Sequence, residues 1–183
     1  MEKKEKGALG EPYASKVRVQ SYSRGPQIEG VTLTDLRRHL DDGGEFCEIA
    51  RISAEGSVAS FSDFVVRQMN YSSMEPGTIK AWHVHRFQSD VWFVPPSGRL
   101  LVGLLDCRER SPTANVSQRI VMGDGRAQLL RIPPGVAHGV ANLTRDPQVL
   151  IYLVDMQFRG EKPDEGRLPW DFLGPEFWAA TKG

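Results

Sequence analysis

From Glu45 onward the chain breaks into short stretches rich in β-branched, aromatic and alternating apolar residues, each closed by Gly, Pro, Asn, Asp or Ser. Strands are expected at 45–52, 60–71, 78–85, 90–94, 100–106, 117–122, 127–132, 138–142 and 149–158. Such regular, short segments specify a sandwich or barrel and exclude a parallel sheet threaded by helices. Ahead of them, residues 1–30 form a polar arm punctuated by Gly and Pro that has room for a short strand. Val31, Leu33, Leu36 and Leu40 then recur at helical spacing, Thr32 and Asp35 resemble a capping box, and Gly43-Gly44 follows, so a short amphipathic helix with His39 on its solvent face is expected over 31–40. The aromatic tail after Asp164, with Trp170, Phe172, Phe177 and Trp178, is expected to fold as turns and a helical segment over the barrel. This divides the chain into an arm, 1–30, and one domain, 31–183.

Lys and Arg number 23, and so do Asp and Glu, which argues against a broad surface for nucleic acid or anionic lipid. No apolar run approaches the roughly 20 residues that span a bilayer, and the charged start lacks a secretory core. A soluble, cytoplasmic protein without a membrane partner is expected. Cys47 and Cys107 lie far apart, form no Cys-x-x-Cys pair and read as small buried hydrophobes.

Side chains two apart on a strand share a face at a separation of about 7 Å. His83 and His85 therefore point the same way, and Asp90 follows five positions later. Downstream, Pro133-Pro-Gly reverses the chain and presents His138. The patterns Gly77-x5-His83-x-His85-x4-Asp90 and Pro134-Gly-x2-His138-x3-Asn142 resemble the two signatures of the cupin superfamily. That resemblance implies an all-β cupin jelly-roll, a double-stranded β-helix, carrying the short N-terminal helix and the helical or turn-rich tail. In many cupins these positions hold a divalent transition metal, which here would use His83, His85, Asp90 and His138. Imidazoles with a carboxylate suit such an ion. The alternative is a metal-free pocket in which the histidines are hydrogen-bonded.

Nearly the whole chain from Asp42 is also similar to the dTDP-4-dehydrorhamnose 3,5-epimerases, which work without metal. The shared motifs are Phe46-x-Glu48, Gln68-x-Asn70-x-Ser72, Gly77-x2-Lys80-x2-His83, Asp106-x-Arg108, Ser111-Pro-Thr113 and Gln128 through Ile132-Pro-Pro-Gly-Val-Ala-His138-Gly. The resemblance implies epimerisation at C3, C5 or both of a nucleotide-linked 4-keto-6-deoxysugar, in deoxysugar biosynthesis, by a homodimer without a cofactor. The 4-keto group acidifies the protons at those carbons, so a neutral base can remove one and an acid can return it to the opposite face. It places His83 as base, Tyr152 as acid and Asp171 as the carboxylate that orients the base. Substrate contacts fall on Glu48, Gln68, Asn70, Lys80 and His138. Two departures stand out. Asp90 occupies the place of a lysine that helps hold the enolate oxygen in that family, and His85 restores the metal-binding pattern. Lys80 would alternate away from His83 on a regular strand. A metal-dependent cupin enzyme acting on another small molecule and a non-catalytic sugar-nucleotide-binding protein are the competing readings.

Overall fold

The computed structural model describes residues 7–19 and 25–180. In chain order the strands begin with β1 (Thr32–Asp35), β2 (Arg38–Leu40), β3 (Glu45–Cys47), β4 (Ser57–Val58) and β5 (Phe61–Val65). They continue with β6 (Gln68–Met74), β7 (Ile79–Val84), β8 (Asp90–Phe93), β9 (Arg99–Asp106) and β10 (Ser117–Gly123). The last are β11 (Gln128–Ile132), β12 (Val136–Ala141), β13 (Gln148–Val154) and β14 (Gly166–Arg167). Two five-stranded sheets result, one in the order β1-β11-β8-β13-β6 and the other β10-β9-β12-β7-β14, and every pairing within them is antiparallel.

Alternation along the strands makes three apolar layers. Between the sheets lie Trp92, Leu130 and Leu150 from the first and Leu100, Val102, Leu104 and Val140 from the second. Val91, Phe93, Leu129 and Leu153 face outward from the first sheet and are covered by Phe61 and Phe64 of the β4–β5 hairpin. Leu101, Leu105, Ala137 and Trp82 face outward from the second sheet and are covered by Trp178 and Phe177 of the tail. Strands buried on both faces must be apolar throughout, which is how β9 reads. Gly103 has a steric reason: a Cβ there would lie 2.5 Å from the Trp178 ring and 2.6 Å from that of Phe177.

The expected helix over 31–40 is instead two strands. β1 pairs with β11 from Thr32↔Arg131 to Asp35↔Gln128, and β2 pairs with β3. A helix this short is marginal in water, whereas the edge of β11 offers a full row of hydrogen-bond partners. Leu33 and Leu40, which suggested an apolar helical face, are exposed, and Asp35 accepts a bond from Gln128 Nε2 at 2.7 Å rather than capping a helix. His39 is solvent-exposed, on β2. The tail holds turns and one 3₁₀ turn, Pro175–Trp178, and no α-helix occurs among the described residues.

The described part of the arm contains turns and no strand, and residues 1–6 and 20–24 lie outside the described residues. Its end is anchored, because Ile28 is buried between the sheets and its N–H donates to Gln118 Oε1. The cysteines also depart from expectation: Cys47 is half-buried and Cys107, just past the end of β9, is exposed. No helix among the described residues is long and apolar enough to cross a membrane.

Candidate active site

Residues of both sheets line a cavity of about 360 Å³. Gln68, Asn70 and Ser72 of β6, with Tyr152 of β13, line one wall. Lys80 and His83 of β7, His85 just beyond it and His138 of β12 line the other, while Gln88, Asp90 and Trp92 close the base. The segment from Met156 to Glu165 borders the opening and brings Phe158, Arg159 and Lys162 to it.

His83 sits directly opposite His138 in the β7–β12 register, and their rings stack at 6.1 Å. The next aligned pair is Lys80 with Val140, so Ala81 and Trp82 of β7 oppose the single Gly139 of β12. This bulge reverses the side-chain alternation. Lys80, His83 and His85 consequently face one cavity, while Ile79, Trp82 and Val84 pack under the tail. Lys80 thus does not point away from His83 as regular alternation predicts; its Nζ donates to Ser72 Oγ at 2.9 Å and to the Ser73 carbonyl at 3.0 Å.

The carboxylate that holds His83 is Glu165. Its Oε1 lies 3.1 Å from His83 Nδ1 and also accepts from Arg167 Nη2 at 2.7 Å. Burial raises the Glu165 pKa, but the Arg167 and His83 bonds outweigh it and bring the pKa below its ordinary value. Glu165 is then acceptor-only, so Nδ1–H donates and His83 Nε2 carries a lone pair. Burial lowers the pKa of His83, helped by the charge of Arg167 and opposed by that of Glu165, which leaves a neutral imidazole at neutral pH. Tyr152 moves the other way, raised by burial and then by Asp90 and Glu165, so its hydroxyl keeps its proton. An unprotonated histidine and a protonated tyrosine thus stand on opposite walls.

Asp164 organises the rest of the loop. Its carboxylate accepts the backbone N–H groups of Arg86, Phe87 and Gln88 at 2.8–3.0 Å, and its carbonyl meets His85 Nδ1. At the base, Asp90 accepts from Gln88 Nε2 at 2.8 Å and Trp92 Nε1 at 3.0 Å. Its Oδ2 lies 3.8 Å from His138 Nε2, and His138 Nδ1 is 3.0 Å from the Val136 carbonyl. Burial drives the pKa of His138 down, against the pull of Asp90. His85, Asp90 and His138 offer ligand atoms within 4.8 Å of one another, a group that His83 does not join.

Of the residues singled out from sequence, His83, Tyr152, Gln68, Asn70, Lys80, His138, His85 and Asp90 all line the cavity. Gln68 Nε2 donates to Asn70 Oδ1 at 2.7 Å, and Gln68 Oε1 accepts the N–H of Phe158. Glu48 and Asp171 are elsewhere. Glu48 pairs with Arg51 beside a separate groove near the β2–β3 hairpin. Asp171 lies in an exposed turn of the tail, which packs on the outer face of the second sheet, away from the cavity. Sequence reading missed Glu165 and Asp164, whose only local signal is an acidic pair between Pro163 and Gly166. The Asp106-x-Arg108 and Ser111-Pro-Thr113 motifs lie outside the cavity. Asp106 accepts from Arg108 Nε at 2.8 Å and Thr113 Oγ1 at 2.7 Å, and Arg108 Nη2 donates to the Glu29 carbonyl at 2.7 Å, which ties the arm to the end of β9.

The sequence model of the dTDP-4-dehydrorhamnose 3,5-epimerase family matches residues 26–172. Over 144 residues the chain is 40% identical to the spore coat polysaccharide biosynthesis protein SpsL of Bacillus subtilis, covering 79% of this chain and 91% of that one. Identity is 34% over 148 residues to the probable low-salt glycan biosynthesis epimerase Agl13 of Haloferax volcanii, covering 80% and 90%. Among solved structures, the dTDP sugar isomerase of Desulfovibrio desulfuricans G20 superposes with a TM-score of 0.69 at 30% identity, over 80% of this chain and 88% of that one.

Proposed function

The chain belongs to the dTDP-4-dehydrorhamnose 3,5-epimerase family and is a sugar-nucleotide epimerase by that membership, and from this we propose that it inverts C3, C5 or both in a nucleotide-linked 4-keto-6-deoxysugar, with His83 as base and Tyr152 as acid. The observation that carries the reading is the placement of these two side chains on facing sheets of one cavity, in the protonation states a stepwise inversion requires. His83 Nε2 removes the proton alpha to the keto group. Tyr152 then donates a proton from the opposite wall, and inversion follows from the change of face.

Glu165 holds the imidazole in the tautomer that leaves Nε2 free and stabilises the imidazolium formed after proton abstraction. Lys80, Arg159 and Lys162 supply positive charge around the cavity for the diphosphate, and Gln68 and Asn70 contact the nucleotide end. The protein works as a cytoplasmic homodimer. Incubation with dTDP-4-keto-6-deoxyglucose in D2O, followed by proton NMR, tests the reading. Loss of signal at C3, C5 or both with appearance of the inverted sugar is expected, and an unchanged spectrum would refute it for this substrate.

A further inference from the structure

Glu165 holds the His83 ring, yet it stands where a largely exposed loop meets a strand of only two residues. So short a strand is a weak anchor by its own pairing. The chain on either side of Glu165 supplies the rest.

On the C-terminal side, β14 runs along β7 with Gly166 opposite Val84 and Arg167 opposite His83. The approach is close, since a Cβ on Gly166 would lie 3.0 Å from Val84 Cγ1. Trp82 and Leu168 then exchange main-chain bonds at 3.4 and 3.2 Å. Arg167 donates to Glu165 Oε1 through both Nε, at 3.0 Å, and Nη2, at 2.7 Å, and His83 Nδ1 lies 3.1 Å from the same oxygen. A planar guanidinium fork restricts a carboxylate in a way that a point charge does not. Arg167 itself is exposed and is not among the residues lining the cavity.

On the N-terminal side, the successive N–H groups of Arg86, Phe87 and Gln88 converge on the Asp164 carboxylate at 3.0, 2.8 and 2.9 Å. A run of main-chain N–H groups of this kind is a concavity for an anion. Burial raises the Asp164 pKa, but the three bonds outweigh it and hold the pKa below its ordinary value. Asp164 thereby fastens the loop to the turn that follows β7, just beyond His83, and its charge is directed away from the carboxylate of Glu165.

We propose that Asp164 and Arg167 are positioning residues that fasten the chain on both sides of Glu165, so that its carboxylate stays on His83 Nδ1 and Nε2 faces the cavity. A carboxylate free to swing would release the ring to its other tautomer, which carries a proton on the nitrogen that has to accept one. The consequence for turnover rests on the epimerase reading, whereas the tautomer of His83 does not depend on it.

Nitrogen-15 NMR of full-length protein labelled at histidine reads the tautomer without substrate. The chain has four histidines, and His83→Gln identifies the signals of His83. At about pH 8, above the ordinary histidine range, the wild type is expected to show Nδ1–H alone. Arg167→Gln and Asp164→Asn should each show a mixture of both tautomers. In steady-state kinetics each should lower kcat by about tenfold to a hundredfold with KM little changed. Combined with Glu165→Gln, Arg167→Gln should cost nothing further, because its effect passes through that carboxylate. Should Asp164→Asn fail to fold by circular dichroism, Arg167→Gln decides. An unchanged His83 tautomer in the folded variants, or a kcat loss that adds to that of Glu165→Gln, would overturn the proposal and leave the epimerase reading intact. Inactivity of the wild type toward keto sugars would refute that reading for the substrate, and the tautomer would still decide the positioning role.

Discussion

His83 takes its chemistry from what surrounds it rather than from its position in a motif. Burial and Arg167 depress its pKa, Glu165 works in the opposite direction, and the sum is a neutral ring whose Nδ1–H is tied down. Replacing Glu165 by Gln removes a charge that favours the imidazolium. The acid limb of the kcat/KM profile, already below the ordinary histidine range, should therefore move to still lower pH. The plateau should fall by about a hundredfold as the ring loses its fixed orientation. Steady-state kinetics from pH 4 to 9 would show both effects, and an acid limb that moves upward would contradict the role given to Glu165. Tyr152→Phe tests the opposite wall, since the phenolic hydroxyl is the only group lost; product formation should drop by about a hundredfold to ten-thousandfold with little change in KM, measured by NMR or chromatography.

At the scale of elements, what could be read ahead of the structure follows the range of the interactions involved. β8 to β13 were legible because each is a short run rich in apolar and β-branched residues closed by turn residues, a signal carried within the strand itself, and the shared face of His83 and His85 followed from the two-residue period alone. The β7 bulge was not legible, since it arises from the match to β12, and it accompanies the turn of Lys80 into the cavity. The strand β14 has only two residues and exists through its pairing with β7, yet it sets Arg167 opposite His83 and follows directly on Glu165. The misread helix at 31–40 is the same effect, where an available sheet edge outweighs a local pattern. Tail docking gives a direct check of element packing: Gly103→Ala introduces a Cβ that must displace two aromatic rings, and should lower stability by about 1–3 kcal/mol in a urea titration.

Taken as a whole, the molecule places its buried titratable side chains, among the described residues, in two regions with different purposes. The cavity gathers histidines and carboxylates for chemistry. The Asp106 knot, by contrast, holds the arm against the end of β9 and lies outside the cavity lining. Burial alone would raise the Asp106 pKa, but Arg108, Ser111, Thr113 and the Arg108 N–H together hold it well below the usual carboxylate range. Its contribution is fully present above the unfolded-state value near about pH 4 and is lost as pH falls below it, at up to about 1.4 kcal/mol per pH unit. Asp106→Asn should cost about 3 kcal/mol at pH 7 and flatten this part of the acid-unfolding curve, as followed by fluorescence.

The division of labour between His83 and Tyr152 is tested most directly by following deuterium uptake and inversion together, in D2O, for wild type, His83→Gln and Tyr152→Phe with the 4-keto-6-deoxysugar nucleotide. Tyr152→Phe should retain wash-in of deuterium at the acidified carbon while losing the inverted product, because the base acts and the opposite-face donor is gone; His83→Gln should lose both. Wild-type exchange in His83→Gln, or full inversion in Tyr152→Phe, would contradict the assignment of base and acid to the two walls of the cavity.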